Sequence, residues 1–232
     1  MTYRFARRDD VDAIADLMMY AGENVLRFVL AELAPNLHPR ALLAHIAAQD
    51  DERQSYRRCL VVELGAIVVG VANAFPAELF RCAIADQNLS PREIHLQSVT
   101  ALQDWDSFIL NSLAVDPRYR GRGIGSGLIE EVSRQARDEG FDRLTLHVWA
   151  DNRPARRLYR RAGFTVVARA EVADHPELSH RGGSLLMRRR LDGPNPISID
   201  DHHKDSPQRT GRTKPVAVIH DEVSDNSDRR NE

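Results

Sequence analysis

The sequence predicts an α/β (α+β) domain built on a mixed, mostly antiparallel sheet flanked by helices. Three observations carry that expectation. Between residues 107 and 170, strand-like and helix-like stretches alternate, which argues for helices layered on a sheet. Cys59 to Leu64 and Ala66 to Phe75 are β-branched, apolar runs that meet at Gly65, as in a hairpin. Phe164 to Ala170 and Ser184 to Arg190 add a last pair of strands, joined by a long polar loop over Glu171 to Gly183.

The elements follow in order. Tyr3 to Ala6 reads as a short strand, and Asp9 or Asp10 can cap the helix that begins after it. Val11, Ile14, Leu17, Met18 and Ala21 recur at helical spacing, with Gly22 as the stop. A second helix covers Asn24 to Leu33, and a third starts at Pro39, a favoured first helical residue, and runs to about Gln49. Residues 77 to 105 resist assignment, with Pro91 and Gln103-Asp104 as breaks. Ser107 to Val115 is a strand, and the helix beyond it aligns Ile124, Leu128, Ile129, Val132 and Ala136 on one face before Gly140. In the strand Arg143 to Trp149, Leu144, Leu146 and Val148 face one side and Thr145, His147 and Trp149 the other. Asn152 opens a short helix that ends at Gly163. From Gly193 onward apolar residues are sparse, so the domain is expected to close near residue 191 and residues 192–232 to form a disordered tail.

Composition narrows the function classes. Hydrophobic residues make up 42% and charged residues 28%, as in soluble globular domains. A net charge of −2 offers no bulk attraction for nucleic acid, and no apolar run approaches the ~18 residues of a membrane span. Cys59 and Cys82 lack metal-ligand spacing and read as reduced core residues of a cytoplasmic protein. His175 and His180 share a loop, but without further ligands they read as surface residues rather than a metal site.

The chemistry concentrates after Val115. An apolar strand end turns at Asp116-Pro117 into Arg120-Gly-Arg-Gly-Ile-Gly125, and an amphipathic helix leaves that loop. Free N–H groups, the positive end of a helix dipole and two or three arginines converge there, which suits a di- or triphosphate. The spacing is neither that of a dinucleotide loop nor that of a nucleotide-triphosphate loop. A second block, Asn152-Arg-Pro-Ala-Arg-Arg-Leu-Tyr-Arg-Arg-Ala-Gly-Phe164, follows the next strand.

Together the two blocks resemble the GCN5-related N-acetyltransferase (GNAT) superfamily, whose signature pairs R/Q-x-x-G-x-G/A with N-x-x-A-x-x-L-Y-x-x-x-G-F. Arg120, Gly123 and Gly125 match the first, and Asn152, Ala155, Leu158, Tyr159, Gly163 and Phe164 the second. The resemblance covers roughly residues 2 to 191 and is strongest from 107 to 164. It implies a splayed central strand pair and acetyl-CoA as co-substrate. The pyrophosphate would sit on the N–H groups of Arg122, Gly123, Ile124, Gly125 and Ser126, with Arg120, Gly121, Asn152 and Arg156 also contacting the cofactor. Leu113, Ala114 and Val115 would offer their backbone to the pantetheine arm as an added strand does. Tyr159 would protonate the leaving sulfur. His147 stands where many relatives carry Glu and is the candidate proton acceptor; Asp106, Asn111 and water are the other groups to weigh, although Asn111 can only orient. The implied partner is an amine acceptor, small molecule or peptide, with a homodimer left open. A catalytically silent acyl-CoA-binding or sensor module is the alternative.

Overall fold

The computed structural model describes residues 1–21, 25–81 and 89–191. The expected helix stop at Gly22, Cys82 and the tail 192–232 lie outside the described residues. The strands are β1 (Thr2–Phe5), β2 (Cys59–Leu64), β3 (Ile67–Pro76), β4 (Phe108–Val115), β5 (Arg143–Trp149), β6 (Thr165–Ala170) and β7 (Ser184–Arg190). They form one sheet in the order β1-β2-β3-β4-β5-β7-β6, in which β4 and β5 run parallel and every other neighbouring pair is antiparallel. The mixed, mostly antiparallel sheet is the expected one. The order adds something local patterns do not carry: β7 lies between β5 and β6, so the last strand completes the interior and β6 takes the edge.

The helices divide between the two faces. On one side lie α1 (Val11–Ala21), α2 (Val25–Leu33) and α3 (Pro39–Ala47). Ile14, Met18 and Leu43 there are fully buried against Cys59, Val61 and Val71. On the other side lies α6 (Ile124–Asp138), whose Leu128, Ile129 and Val132 are sealed against Leu60, Val62 and Val69. Leu60 and Val62 face one layer and Cys59 and Val61 the other, as the two-residue period of a strand requires. The buried Cys59 thiol is free, and desolvation pushes its pKa up to about 12, so it behaves as an apolar residue. Among the described residues, 77 to 105 contain two short α-helices, α4 (Pro91–His95) and α5 (Gln97–Ala101). Ser90 and Glu93 close a capping box on α4, so Pro91 starts a helix rather than breaking one. No helix among the described residues is long and apolar enough to cross a membrane.

Two irregularities shape the centre of the sheet. In β3, Val69 is an extra residue opposite β2, where the register slips between Val62 and Glu63. In β4, Asn111 is the extra residue: Asn73 pairs with Ser112 and Ala74 with Leu110. A bulge inverts the alternation, so Leu110 and Leu113, three residues apart, both pack against the α6 layer.

Close packing is evident where β1 meets α6. A Cβ built at Gly127 would run into the Tyr3 side chain, whose phenol meets the helix there hydroxyl first. In an open helix Gly→Ala stabilises by about 1 kcal/mol. Here overpacking outweighs that gain, so Gly127→Ala is expected to lower stability by about 1–3 kcal/mol. In a Tyr3→Ser background the same change should raise stability. Denaturant midpoints of the double-mutant cycle test this; a destabilisation independent of residue 3 contradicts it.

Candidate active site

The parallel pair at the sheet centre separates almost as soon as it forms. β4 and β5 pair at Phe108–Leu144 and Ile109–Thr145 and nowhere beyond. Buried hydroxyls fasten the closed end. Ser107 Oγ donates to the Asp104 carbonyl at 2.6 Å, leaving Thr145 Oγ1 to donate to Ser107 Oγ at 2.7 Å. Beyond Ile109 the β5-facing edge of β4, through Leu113 to Val115, has no strand partner. Unpaired backbone of that kind is a template for an extended ligand.

The glycine loop continues from that edge. The Asp116 carboxylate accepts from the Arg118 N–H at 2.9 Å and pairs with its guanidinium, which holds the Asp116 carboxyl below the usual carboxylate range. Gly121 and Gly123 have φ of 76° and 78°, the left-handed region that favours glycine, and a Cβ at either meets no atom within 4 Å. The first bond of α6 runs from the Gly127 N–H to the Gly123 carbonyl at 2.9 Å. No side chain caps this helix and its first turn holds no acidic residue. The start of α6 therefore presents N–H groups and a positive dipole end with no protein carboxylate in that turn to compete for an anion.

The facing wall is α7 (Arg153–Arg161), capped by Asn152, whose Oδ1 accepts from the Ala155 N–H at 3.1 Å. A Cβ at Gly125 would reach Leu158 at 3.6 Å, so the glycine sits where α6 and α7 approach each other. Tyr159 stands edge-to-face on the buried Phe164, with ring centroids 5.9 Å apart.

All these parts border one cavity of about 950 Å³. Of the residues expected to bind cofactor, Leu113–Val115, Arg120, Gly121, Gly123–Ser126 and Asn152 line it, as do Tyr159 and His147. Arg122 and Arg156 stand outside the lining. The Arg122 guanidinium lies 5.4 Å from the Tyr119 ring centroid, and Arg156 Nη1 donates to the Ala150 carbonyl at 2.6 Å. Asp106 is also outside, with its side chain 87% exposed beside Arg143.

His147 lines the wall, but its ring is committed elsewhere. Nε2 lies 2.8 Å from the Leu102 carbonyl, which can only accept, so Nε2 carries the proton. Nδ1 then accepts from the Ser184 hydroxyl at 3.2 Å. Desolvation pushes the pKa down to about 4 against the partly offsetting Leu102 contact. The ring is neutral near pH 7 and its basic lone pair is engaged, which is a poor arrangement for the proton acceptor expected from sequence. His180 also differs from expectation. Its side chain is only 10% exposed, its ring stacks on Trp149 with centroids 5.5 Å apart, and Nδ1 lies 2.7 Å from Asp151 Oδ1. Glu93 and Trp149 also line the cavity without having been singled out. The capping-box spacing of Ser90 and Glu93 was a usable signal for the first; the Trp149–His180 stack leaves no local trace in the sequence.

Comparison with known proteins agrees with this geometry. The Acetyltransferase (GNAT) family pattern matches residues 26–164. A mycothiol acetyltransferase of Beutenbergia cavernae is 45% identical over 56 residues, 24% of this chain and 19% of that protein. Thialysine N-epsilon-acetyltransferase of Bos taurus is 40% identical over 62 residues, 27% of this chain and 36% of that one. The matched segments thus span well under half of these relatives. Among solved structures, one described as an acetyltransferase superposes with a TM-score of 0.60 at 26% identity, covering 83% of this chain and all of that one (100%). An N-acetyltransferase from Staphylococcus aureus Mu50 gives 0.59 at 22% identity, over 80% of this chain and 100% of that chain, and shows the shared fold. With its family pattern matched over more than half its length, its sheet split at β4 and β5 and its glycine loop at the head of α6, the chain belongs to the GNAT acetyltransferase family.

Proposed function

We propose that this protein transfers the acetyl group of acetyl-CoA to a primary amine of a small molecule or peptide by direct attack. One observation carries the reading: an unpaired strand edge and a helix N-terminus without a side-chain cap open onto the same cavity. Acetyl-CoA supplies an acetyl group activated as a thioester. The N–H groups at the start of α6 hold the pyrophosphate, with Arg120 at the rim, while the edge of Leu113–Val115 hydrogen-bonds the pantetheine arm. A β4 N–H directed at the thioester oxygen stabilises the negative charge that develops there. The amine nitrogen forms its bond to the acetyl carbon as the carbon–sulfur bond breaks. The Tyr159 hydroxyl donates its proton to the departing sulfur. His147 serves as a neutral wall that fixes Leu102 and Ser184 rather than as the proton acceptor.

The acceptor half favours a small amine on an apolar body. Val25, Leu26, Val29, Phe80 and Leu96 line it, and Glu93 is the only carboxylate among the described lining residues. Glu93 Oε2 already accepts from the Ser90 N–H at 2.9 Å. A polycation would find little compensating charge there.

Tyr159→Phe is expected to lower kcat at least ~10²-fold while leaving acetyl-CoA affinity unchanged. Released thiol and calorimetry read the two quantities. Unchanged kcat removes Tyr159 as the acid, whereas a wild-type protein that binds acetyl-CoA and turns over no amine is the silent module. A second expectation concerns pH. His147 is held at about 4 when folded against 6.5 ordinarily, so the unfolded chain binds the proton first. Its contribution to stability is full above pH 6.5 and drains as pH falls toward 4, by about 2 kcal/mol at pH 5. Urea midpoints at pH 7 and pH 5 should show that loss in wild type and a smaller one in His147→Gln. Equal losses in both proteins contradict it.

A further inference from the structure

Asn111 is the extra residue of the β4 bulge and borders the cavity beside the open strand edge. Its amide has one possible orientation. Asn73, fully buried behind it, donates through Nδ2 to the carbonyls of Arg53 at 2.9 Å and Arg58 at 3.2 Å. Both are acceptors only, so Asn73 must turn Oδ1 toward β4, where Asn111 Nδ2 donates to it at 2.9 Å. With its amide nitrogen held toward Asn73 by one N–H, Asn111 offers its own Oδ1, which has no protein partner among the described residues, to the cavity. The bulge thus places a fixed, uncharged acceptor where β4 leaves β5.

The charged groups around that point are cations or already hold hydrogen bonds. From β5, His147 has both ring nitrogens engaged. From α4, Glu93 is tied to Ser90. The loop before β2 brings Arg53, whose guanidinium lies 4.8 Å from the Phe80 ring centroid. Tyr20 on α1, Tyr119 and Arg120 beside the glycine loop, Tyr159 and Arg161 on α7 and His180 in the β6–β7 loop complete the ionisable lining among the described residues.

We infer that the acceptor enters this site as the neutral free base, its N–H held by Asn111 Oδ1, and that the protein selects amines of low basicity over alkylammonium groups. The inference rests on the acetyltransferase reading above. Its chemical consequence follows from ordinary pKa values. At pH 7.5 an α-amino group, near 7.7–8.0, is roughly one-third neutral, whereas a lysine-like amine near 10.4 is neutral about once in 10³ molecules. The α-amino group of a peptide or an aryl amine therefore fits the site, and a lysine side chain does not. Asn73 is the positioning residue and Asn111 the contact. In the transfer the nitrogen gives up its surplus proton to water after the bond to the acetyl carbon has formed, and the Tyr159 phenolate, left by protonating the sulfur, regains a proton from water.

The test is the pH dependence of kcat/KM for wild-type protein with primary amines that share one carbon body and differ only in basicity, for example through fluorine substitution. The rising limb is expected to move with each amine's own pKa, and the rate per neutral amine should be independent of pH for each one. A limb at one fixed pH for every amine means an enzyme group takes the proton, and overturns the inference while leaving the transferase intact. Asn111→Ala should raise KM for all amines at least tenfold with acetyl-CoA affinity unchanged; an unaltered KM also overturns it. Absence of turnover with every amine overturns both this inference and the reading beneath it.

Discussion

The site depends on the brevity of the β4–β5 pairing. Two parallel register positions, fastened by the Ser107–Thr145 hydroxyl pair, hold the strands together at one end. Past Ile109 they part, and an unpaired backbone edge survives in the middle of a seven-stranded sheet. Buried or half-buried peptide groups without partners are costly, so the fold retains this edge only where a ligand or water can satisfy it. The neighbours keep the gap open. β3 and β7 pair along the outer sides of β4 and β5, and α1 and α6 pack on opposite faces of the sheet.

What fills the gap is divided between two ends. At the cofactor end the requirements are for backbone: positive φ at Gly121 and Gly123, close approach at Gly125, and a helix start without an acidic competitor. At the acceptor end they are for side-chain orientation, set by partners distant in sequence. His147 is fixed through Leu102, Asn111 through Asn73, and His180 through Trp149 and Asp151. The first kind of requirement tolerates many substrates, because every acyl-CoA carries the same pyrophosphate and pantetheine. In the proposed function, the second kind decides which amine is accepted.

That division also explains how much could be read from the chain alone. The strands, the helices around Val11–Ala21 and Ile124–Asp138, the loop Arg120–Gly125 and the Asn152 cap were legible, because spacing, glycine and capping chemistry act over a few residues. Helix ends moved slightly, as at Ala47 where Gln49 was expected. The position of β7 between β5 and β6 was not legible, since it depends on pairing across the sheet. Nor was the Asn111 bulge: a one-residue phase change in β4 is visible only once β3 supplies the opposite register. The hydrogen bonding of His147 was hidden for the same reason. Its face of β5 was expected and observed, but its protonation is governed by a carbonyl 45 residues away in sequence.

The central claim is that the open β4 edge and the start of α6 form one coenzyme A seat. Backbone amide shifts of the ¹⁵N-labelled protein, followed as coenzyme A is added, test it most directly. The account predicts that the largest shifts fall on Leu113–Val115 and Gly123–Ser126 and saturate together with a single affinity. Saturable binding that leaves those amides unmoved, or moves the two stretches with different affinities, would contradict it.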